Sequence, residues 1–309
     1  MKCAPGMNDS MAKRVFRGAR PDRRARNGRK ASAQIVNAPA RTGLLAALLL
    51  PLLASASATA AAPAWKTLQR GVEYAALDAG PTSADGRIHV VRIDPKQAPL
   101  QAVMASAGDR RPRTAAAWCR ERKLAVAINL GMYRDDRLTN VGHAHAPGHV
   151  NNAHWSEKYK SALAFGPSRP GLPAAAMVDL DTPGTEAGLA AYGTVIQNLR
   201  LIRAPGRNAW GKQQRRWSEA TVAADKDGHI LFIFSRRPYA MNDWNDKLLA
   251  LPLGITAAMH VEGGPEASLS IHAGGVDLDL NGSYETGFNE NDDENAQWPI
   301  PNLLAVPRR

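Results

Sequence analysis

Two glutamates flank a turn in His260-Val261-Glu262-Gly263-Gly264-Pro265-Glu266-Ala267-Ser268-Leu269, and carboxyls a few residues apart are the raw material of proton transfer. The apolar run 255–259 stops at Glu262. Paired glycines accept positive φ and Pro265 fixes the exit, so the pattern predicts a buried strand ending in a tight reversal. With no Cβ on Gly263 or Gly264, a ligand can approach the backbone between the carboxyls. The plainer alternative is a glycine-rich hairpin carrying two solvated glutamates. Four of the eight histidines, His143, His145, His149 and His154, fall in one loop-like segment, and imidazoles are common zinc and copper ligands. Their spacing offers no helical i, i+4 pair and no thiol, and Pro147 and Gly148 interrupt them, so no metal site is expected. The run Asp277-Leu278-Asp279-Leu280-Asn281-Gly282 imitates the start of a calcium loop, but Phe288 stands where a bidentate glutamate is required, and strand alternation already explains it.

The elements that must position these groups follow from the apolar patterning. Residues 88–94 and 100–104 read as strands, and 113–123 as a short helix holding Cys119 as a buried, inert thiol. That helix feeds a fully apolar strand over 124–128 that ends in Asn129 and Gly131, the position where open sheets present ligand groups. Loop follows over 134–156. Strands are then expected near 161–165, 174–180 and 193–202, with a short helix over 185–192. Gln197 and Asn198 interrupt the last of these strands, and they are either satisfied core groups or the lining of a cavity. Asp225-Lys226-Asp227-Gly228 joins 219–224 to 229–234 in the clearest hairpin of the chain. Asn242 or Asp243 is expected to cap a helix running to Leu251, and 267–272 with 276–280 completes a meander. The expected architecture is α+β, a single, extensively β-sheeted domain of mixed sheet with short flanking helices.

Charge is unevenly spread along the 309 residues. Residues 1–42 hold eleven Lys or Arg against two Asp, which leaves only +2 of the total +11 for the rest. The basic character belongs to the N-terminal segment, and nucleic-acid binding is not expected of the body. A short apolar run over 43–53 and small-residue sites such as Ala56-Ser57-Ala58 complete the pattern of a cleaved secretory signal peptide. The expected division is a leader over 1–62 and a domain over 63–309, periplasmic or secreted and without a stable membrane anchor after cleavage. Cleavage would remove Cys3 and leave Cys119 alone, which excludes a disulfide framework.

Four segments, taken in order, carry a resemblance. They are Ala127-Ile128-Asn129-Leu130-Gly131-Met132-Tyr133; Val195-Ile196-Gln197-Asn198-Leu199-Arg200-Leu201-Ile202; Arg216-Trp217-Ser218 through the Asp227-Gly228 hairpin; and the Glu262 turn. Over residues 65–275 the chain resembles the phosphodiester glycosidase domain family, which includes many exported bacterial members. The first segment is similar to the family's Asn-Gly-Gly-Phe or Asn-Ala-Gly-Met-Tyr, and the third to its Arg-Thr-Ala segment. The fourth is similar to its Leu-Asp-Gly-Gly-x-Ser-x-x-Leu turn. Two departures stand out: Glu262 replaces the usual Asp, and Gln197-Asn198 stands where Gly-Pro is usual. The resemblance implies an exported hydrolase of a sugar phosphodiester or related glycosidic bond, with a carbohydrate or sugar-phosphate substrate and no cofactor. Glu262 and Glu266 would then be the catalytic carboxylates. Asn129, Gln197 and Asn198 would orient sugar hydroxyls, with Gly131, Tyr133, Ser218, Gly263 and Gly264 in the same binding set, and Arg200 or Arg216 would hold phosphate. The competing class is a non-catalytic glycan-binding envelope protein that stacks sugars on Trp210, Trp217 and Trp244. A metal hydrolase built on the loop histidines comes third.

Protein recovered from its native cell is expected to begin between about Ala56 and Trp65, which mass spectrometry of the N-terminus reads directly. An intact arginine-rich N-terminus would contradict the leader.

Overall fold

The computed structural model describes residues 62–78 and 86–309; the leader and its apolar run lie outside the described residues. The strands gather into a large sheet and a five-stranded one, and every described pairing in them is antiparallel. The sheet-rich α+β domain with short helices is what the chain forms. In the large sheet the central order is Arg87–Ile93, Ile230–Tyr239, Trp217–Asp225, Ile255–Gly263, Tyr192–Arg203. The smaller sheet runs Val276–Asn281, Ser268–Ala273, Leu124–Asn129, Asn302–Pro307, Gln101–Met104.

The layers follow from which faces are apolar. Val126, Ile128, Leu269, Ile271, Leu304 and Val306 of the small sheet pack against Val91, Val222, Phe232, Met259 and Val261 of the large one, so the main core lies between the sheets. The other face of the large sheet is covered by the helix Met241–Ala250, whose Met241, Trp244 and Leu248 meet Ala223, Leu231, Ile233 and Ala258. The other face of the small sheet is covered by the helix Ala115–Arg122 through Trp118 and Cys119. Thr114 caps that helix by accepting from the Ala117 N–H at 3.1 Å, and Lys123 closes it in the left-handed region. Cys119 is the buried free thiol expected, and burial pushes its pKa up to about 12.

Two local expectations are corrected, and one element is added. The segment expected as loop contains two short strands, Ala144–Ala146 and His149–Asn152, because the first pairs with Val195 and Ile196 and so extends the large sheet. The helix expected to be capped by Asn242 or Asp243 begins earlier, at Met241, with Ala240 at its N-cap and no side-chain cap. Asn242 instead donates to the Trp210 carbonyl at 2.7 Å. The C-terminal segment Asn302–Pro307 is an inner strand of the small sheet, paired on both sides. It lies beside the strand that carries Asn129.

Trp118 is 1% exposed, donates to the Ile300 carbonyl at 3.1 Å and lies under the Arg113 guanidinium. Trp118→Ala is expected to cost about 3–5 kcal/mol in urea unfolding. Val150→Ala, at the exposed Val150, should stay within about 0.5 kcal/mol. Equal losses would show that this outer layer is not packed.

Candidate active site

Glu262 ends its strand at a bulge. Glu262 pairs with Ala220 and His260 with Thr221, which leaves Val261 as the extra residue. A bulge bends its strand and re-aims the side chain that follows. Here it sends a carboxylate into the protein: Glu262 is 1% exposed. Its Oε1 accepts from the Gly263 N–H at 3.2 Å, and its Oε2 has no hydrogen-bond partner. Burial raises its pKa well above the ordinary carboxylate value of 4.5, reinforced by the nearby charges of Glu266, Glu285 and Glu219. The shift favours the protonated carboxyl, the form a general acid needs.

The turn beyond it is a short 3-10 segment, Gly264–Glu266, and the plainer alternative, a hairpin of solvated glutamates, is absent because both Glu262 and Glu266 are buried. Asn129 fixes this turn. Its Nδ2 donates to the Glu266 carbonyl at 2.9 Å and its Oδ1 accepts the Ser268 N–H at 2.7 Å. Gly264 has φ +64°, and a Cβ there would stand 2.8 Å from Glu285 Oε2. Glycine therefore meets a backbone requirement and a close approach together.

Glu285 was not legible as a site residue, since nothing in its loop sequence marks it. The structure brings it in through the loop 281–295. Ser218 donates to the Arg236 carbonyl at 2.6 Å and accepts the Ser283 N–H at 3.0 Å, tying that loop to the strand Trp217–Asp225. Glu285 is 4% exposed and lies 3.9 Å from Arg215 Nη2. Arg215 and Arg216, with Gln213, Gln214, Ala240, Asp243, Tyr284 and Thr286, line a cleft of about 610 Å³ beside it.

A second buried carboxylate, Glu219, is fully satisfied. It accepts from Trp217 Nε1, Thr221 Oγ1 and His260 Nδ1, all at 2.8–2.9 Å. Glu219 and His260 were also missed as site residues. The available signal was a polar residue inside an otherwise apolar strand, the same signal that marked Gln197 and Asn198.

The remaining expected residues are distributed as follows. Gln197 is a core group: its amide accepts from the His143 and Ser156 N–H groups and donates to the Ser156 and Tyr159 carbonyls. Asn198 donates to the Leu130 carbonyl at 2.8 Å, while its Oδ1 and that of Asn140 have no partner and both face Gly131. Tyr133 is buried, in the cluster beneath Trp118. Arg200 gives its guanidinium to Asp179 and Asp181 at 2.6 and 2.8 Å, so its charge is already balanced. Arg216 is exposed on the cleft. Trp217 and Trp244 are buried and bonded to Glu219 and Thr221, so neither ring offers a face to a sugar.

The loop histidines do not gather. His143 Nε2 meets His145 Nδ1 at 2.9 Å, the His143 ring stacks on Trp155, and His149 turns to Ser106. Among the described residues, the group of three side chains with metal-ligand spacing is Asp225, Asp227 and His229 in the hairpin. There the Asp225 carboxylate already accepts the Asp227 and His229 N–H groups and meets His229 Nδ1 at 2.8 Å.

The family profile described as phosphodiester glycosidase matches residues 122–307. A hypothetical protein from Synechocystis shares the fold with a TM-score of 0.55 at 14% identity, over 78% of this chain and 63% of its own. The chain thus spans less than two thirds of that relative. The catalytic domain of zebrafish N-acetylglucosamine-1-phosphodiester alpha-N-acetylglucosaminidase, auto-inhibited by its pro-peptide, aligns with a TM-score of 0.51 at 14% identity, over 78% of this chain and 84% of that one. Comparison with curated proteins gives no match.

A Cβ at Gly131 would stand 2.4 Å from Asn198 Oδ1 and 2.6 Å from Asn140 Oδ1. Gly131→Ala is expected to cost about 1–3 kcal/mol by overpacking. Adding Asn198→Ala should recover part of that loss in a double-mutant cycle of chemical denaturation. Strict additivity would show that the two residues do not press on each other.

Proposed function

Because the chain belongs to the phosphodiester glycosidase family, we propose that it is an exported hydrolase of a sugar phosphodiester or related glycosidic bond, with Glu262 as its proton donor. The observation that carries this reading is the buried carboxyl of Glu262, whose Oε2 lacks a partner at a turn that opens on Gly263 and Gly264. A carboxyl of raised pKa can protonate the oxygen that leaves as a glycosidic bond breaks through an oxocarbenium-like state. The carboxylates around it favour the positive charge that develops on the sugar ring. The neighbouring cleft offers the Arg215 and Arg216 guanidinium groups, together with the Gln213 and Gln214 amides, for a phosphate. Export rests on the basic and apolar leader, which suits a periplasmic or secreted enzyme.

Glu262→Gln keeps the volume and removes the transferable proton. Turnover of a panel of sugar phosphodiesters, followed as free sugar, is expected to fall by about 10²–10⁴, equivalent to roughly 3–5 kcal/mol of barrier. A folded variant that hydrolyses at the wild-type rate would remove Glu262 from the chemistry and favour a glycan-binding role.

The same group sets a dependence of stability on pH. The folded protein holds the Glu262 proton more tightly than the unfolded chain does. Its contribution is therefore full below the unfolded value near 4.5 and is lost as pH rises toward the higher folded value. The melting temperature of Glu262→Gln is expected to gain on wild type as pH rises through that window. A constant difference from acid to neutral pH would show that Glu262 is ionised in the folded protein.

A further inference from the structure

We propose that Glu285 is the second catalytic carboxylate of this site, the group that takes the proton from the attacking water while Glu262 gives its own to the departing oxygen. The inference rests on the hydrolase reading and assigns a role that the sequence motif gave to Glu266.

Two observations separate the two candidates, and a third shows that Glu285 is positioned to serve. Glu285 stands between the cleft and the turn: its chain neighbours Tyr284 and Thr286 line the cleft, and its Oε2 fills the space a Cβ on Gly264 would need. Neither Glu285 itself nor any residue of 262–267 lines that cleft, but only Glu285 has lining residues on both sides of it in the chain. Glu285 also has a cation at hand. Arg215, a wall of the cleft, lies 3.9 Å from Oε1, and a nearby guanidinium favours the ionised form a base requires. Finally, its backbone is held in place. The Glu285 N–H donates to the Asn289 carbonyl at 2.8 Å, its carbonyl accepts from Asn289 at 2.9 Å, and it bridges to Trp217. A base on a fixed loop meets the positioning demand of catalysis. The Glu266 backbone is held too, its carbonyl accepting from the Asn129 amide, so the flanking cleft residues and Arg215 are what set Glu285 apart.

The chemistry balances as follows. The bond between the anomeric carbon and the bridging phosphate oxygen breaks, its electron pair stays with that oxygen, and the oxygen takes the Glu262 proton. Water oxygen bonds to the anomeric carbon and a water proton passes to Glu285. One water is added, the products are the free sugar and a phosphomonoester, and both carboxyls return to their starting states by exchange with solvent. Arg215 on the cleft wall is a cation near Glu285, and Glu262 across Gly264 feels Glu285 together with Glu266 and Glu219. Rate should therefore rise with pH as Glu285 ionises and fall as Glu262 loses its proton, a bell-shaped profile.

The test compares Glu285→Gln with Glu266→Gln on the sugar phosphodiester panel, with thermal melting as the folding control. Folded Glu285→Gln is expected to lose about 10²–10⁴ of kcat together with the acidic limb of the profile, and Glu266→Gln less than about tenfold. Sodium azide, a small anionic nucleophile, should restore turnover to Glu285→Ala by taking the place of the activated water. If Glu285→Gln does not fold, Arg215→Gln decides. An acidic limb moved to higher pH supports the role, and an unmoved one overturns it. Wild-type kcat in folded Glu285→Gln, or azide rescue of Glu266→Ala instead, overturns the proposal and leaves the hydrolase reading standing. Absence of turnover by the wild-type protein on every diester overturns both.

Discussion

A carboxyl group held out of water without a full set of partners is the constraint on which this structure turns. Leaving a buried polar atom unsatisfied costs about 1–3 kcal/mol, a large share of the roughly 5–15 kcal/mol by which a domain is stable. Glu262 carries that cost at Oε2, with like charges of Glu266, Glu285 and Glu219 around it. Such a group persists only where the surrounding fold over-determines its place. The bulge at Val261, the Asn129 clamp on Glu266 and Ser268, and the apolar core between the two sheets supply that restraint.

The contrast with Glu219 makes the point within one pair of strands. Both carboxyls are buried beside the same ladder. Glu219 receives three side-chain donors from Trp217, Thr221 and His260, whereas Glu262 receives one backbone N–H at 3.2 Å. A satisfied buried network rigidifies and specifies the fold, and an unsatisfied member is reserved for something else. The helix Met241–Ala250 belongs to the satisfied side, since Trp244 Nε1 completes the chain of bonds at Thr221 Oγ1. The two layers thus divide the work: one side of the large sheet locks the strands, and the turn beyond them holds the unpaired carboxyl of Glu262.

Residues expected to touch substrate turned out to be of two kinds. Asn129 and Gln197 have their amide groups spent on backbone, and Arg200 has its charge spent on two aspartates. Asn198 is half spent, with Nδ2 on the Leu130 carbonyl and Oδ1 facing Gly131. Polar residues in apolar strands were expected either to be satisfied core groups or to line a cavity, and most of them build the frame. Burial explains the outcome: a polar side chain deep in a sheet must first satisfy itself, and in doing so it becomes a strut.

The sequence by itself determined the sheet-rich α+β class, the Asp225–Gly228 hairpin, the apolar strand that delivers Asn129, the turn at Glu262 and the family resemblance. These are local matters, set by period-two alternation, by turn residues that tolerate special backbone angles, and by residues close together in the chain. The tertiary structure decided what depends on partners far away in sequence. It placed Asn302–Pro307 inside the small sheet and folded the loop 281–295 over Gly264 so that Glu285 faces the turn. It paired His260 with Glu219 across 41 residues. It also set His149 on Ser106, apart from the contact between His143 and His145. Whether a carboxylate is solvated, paired or stranded is a property of what surrounds it, and no one-dimensional pattern contains its surroundings.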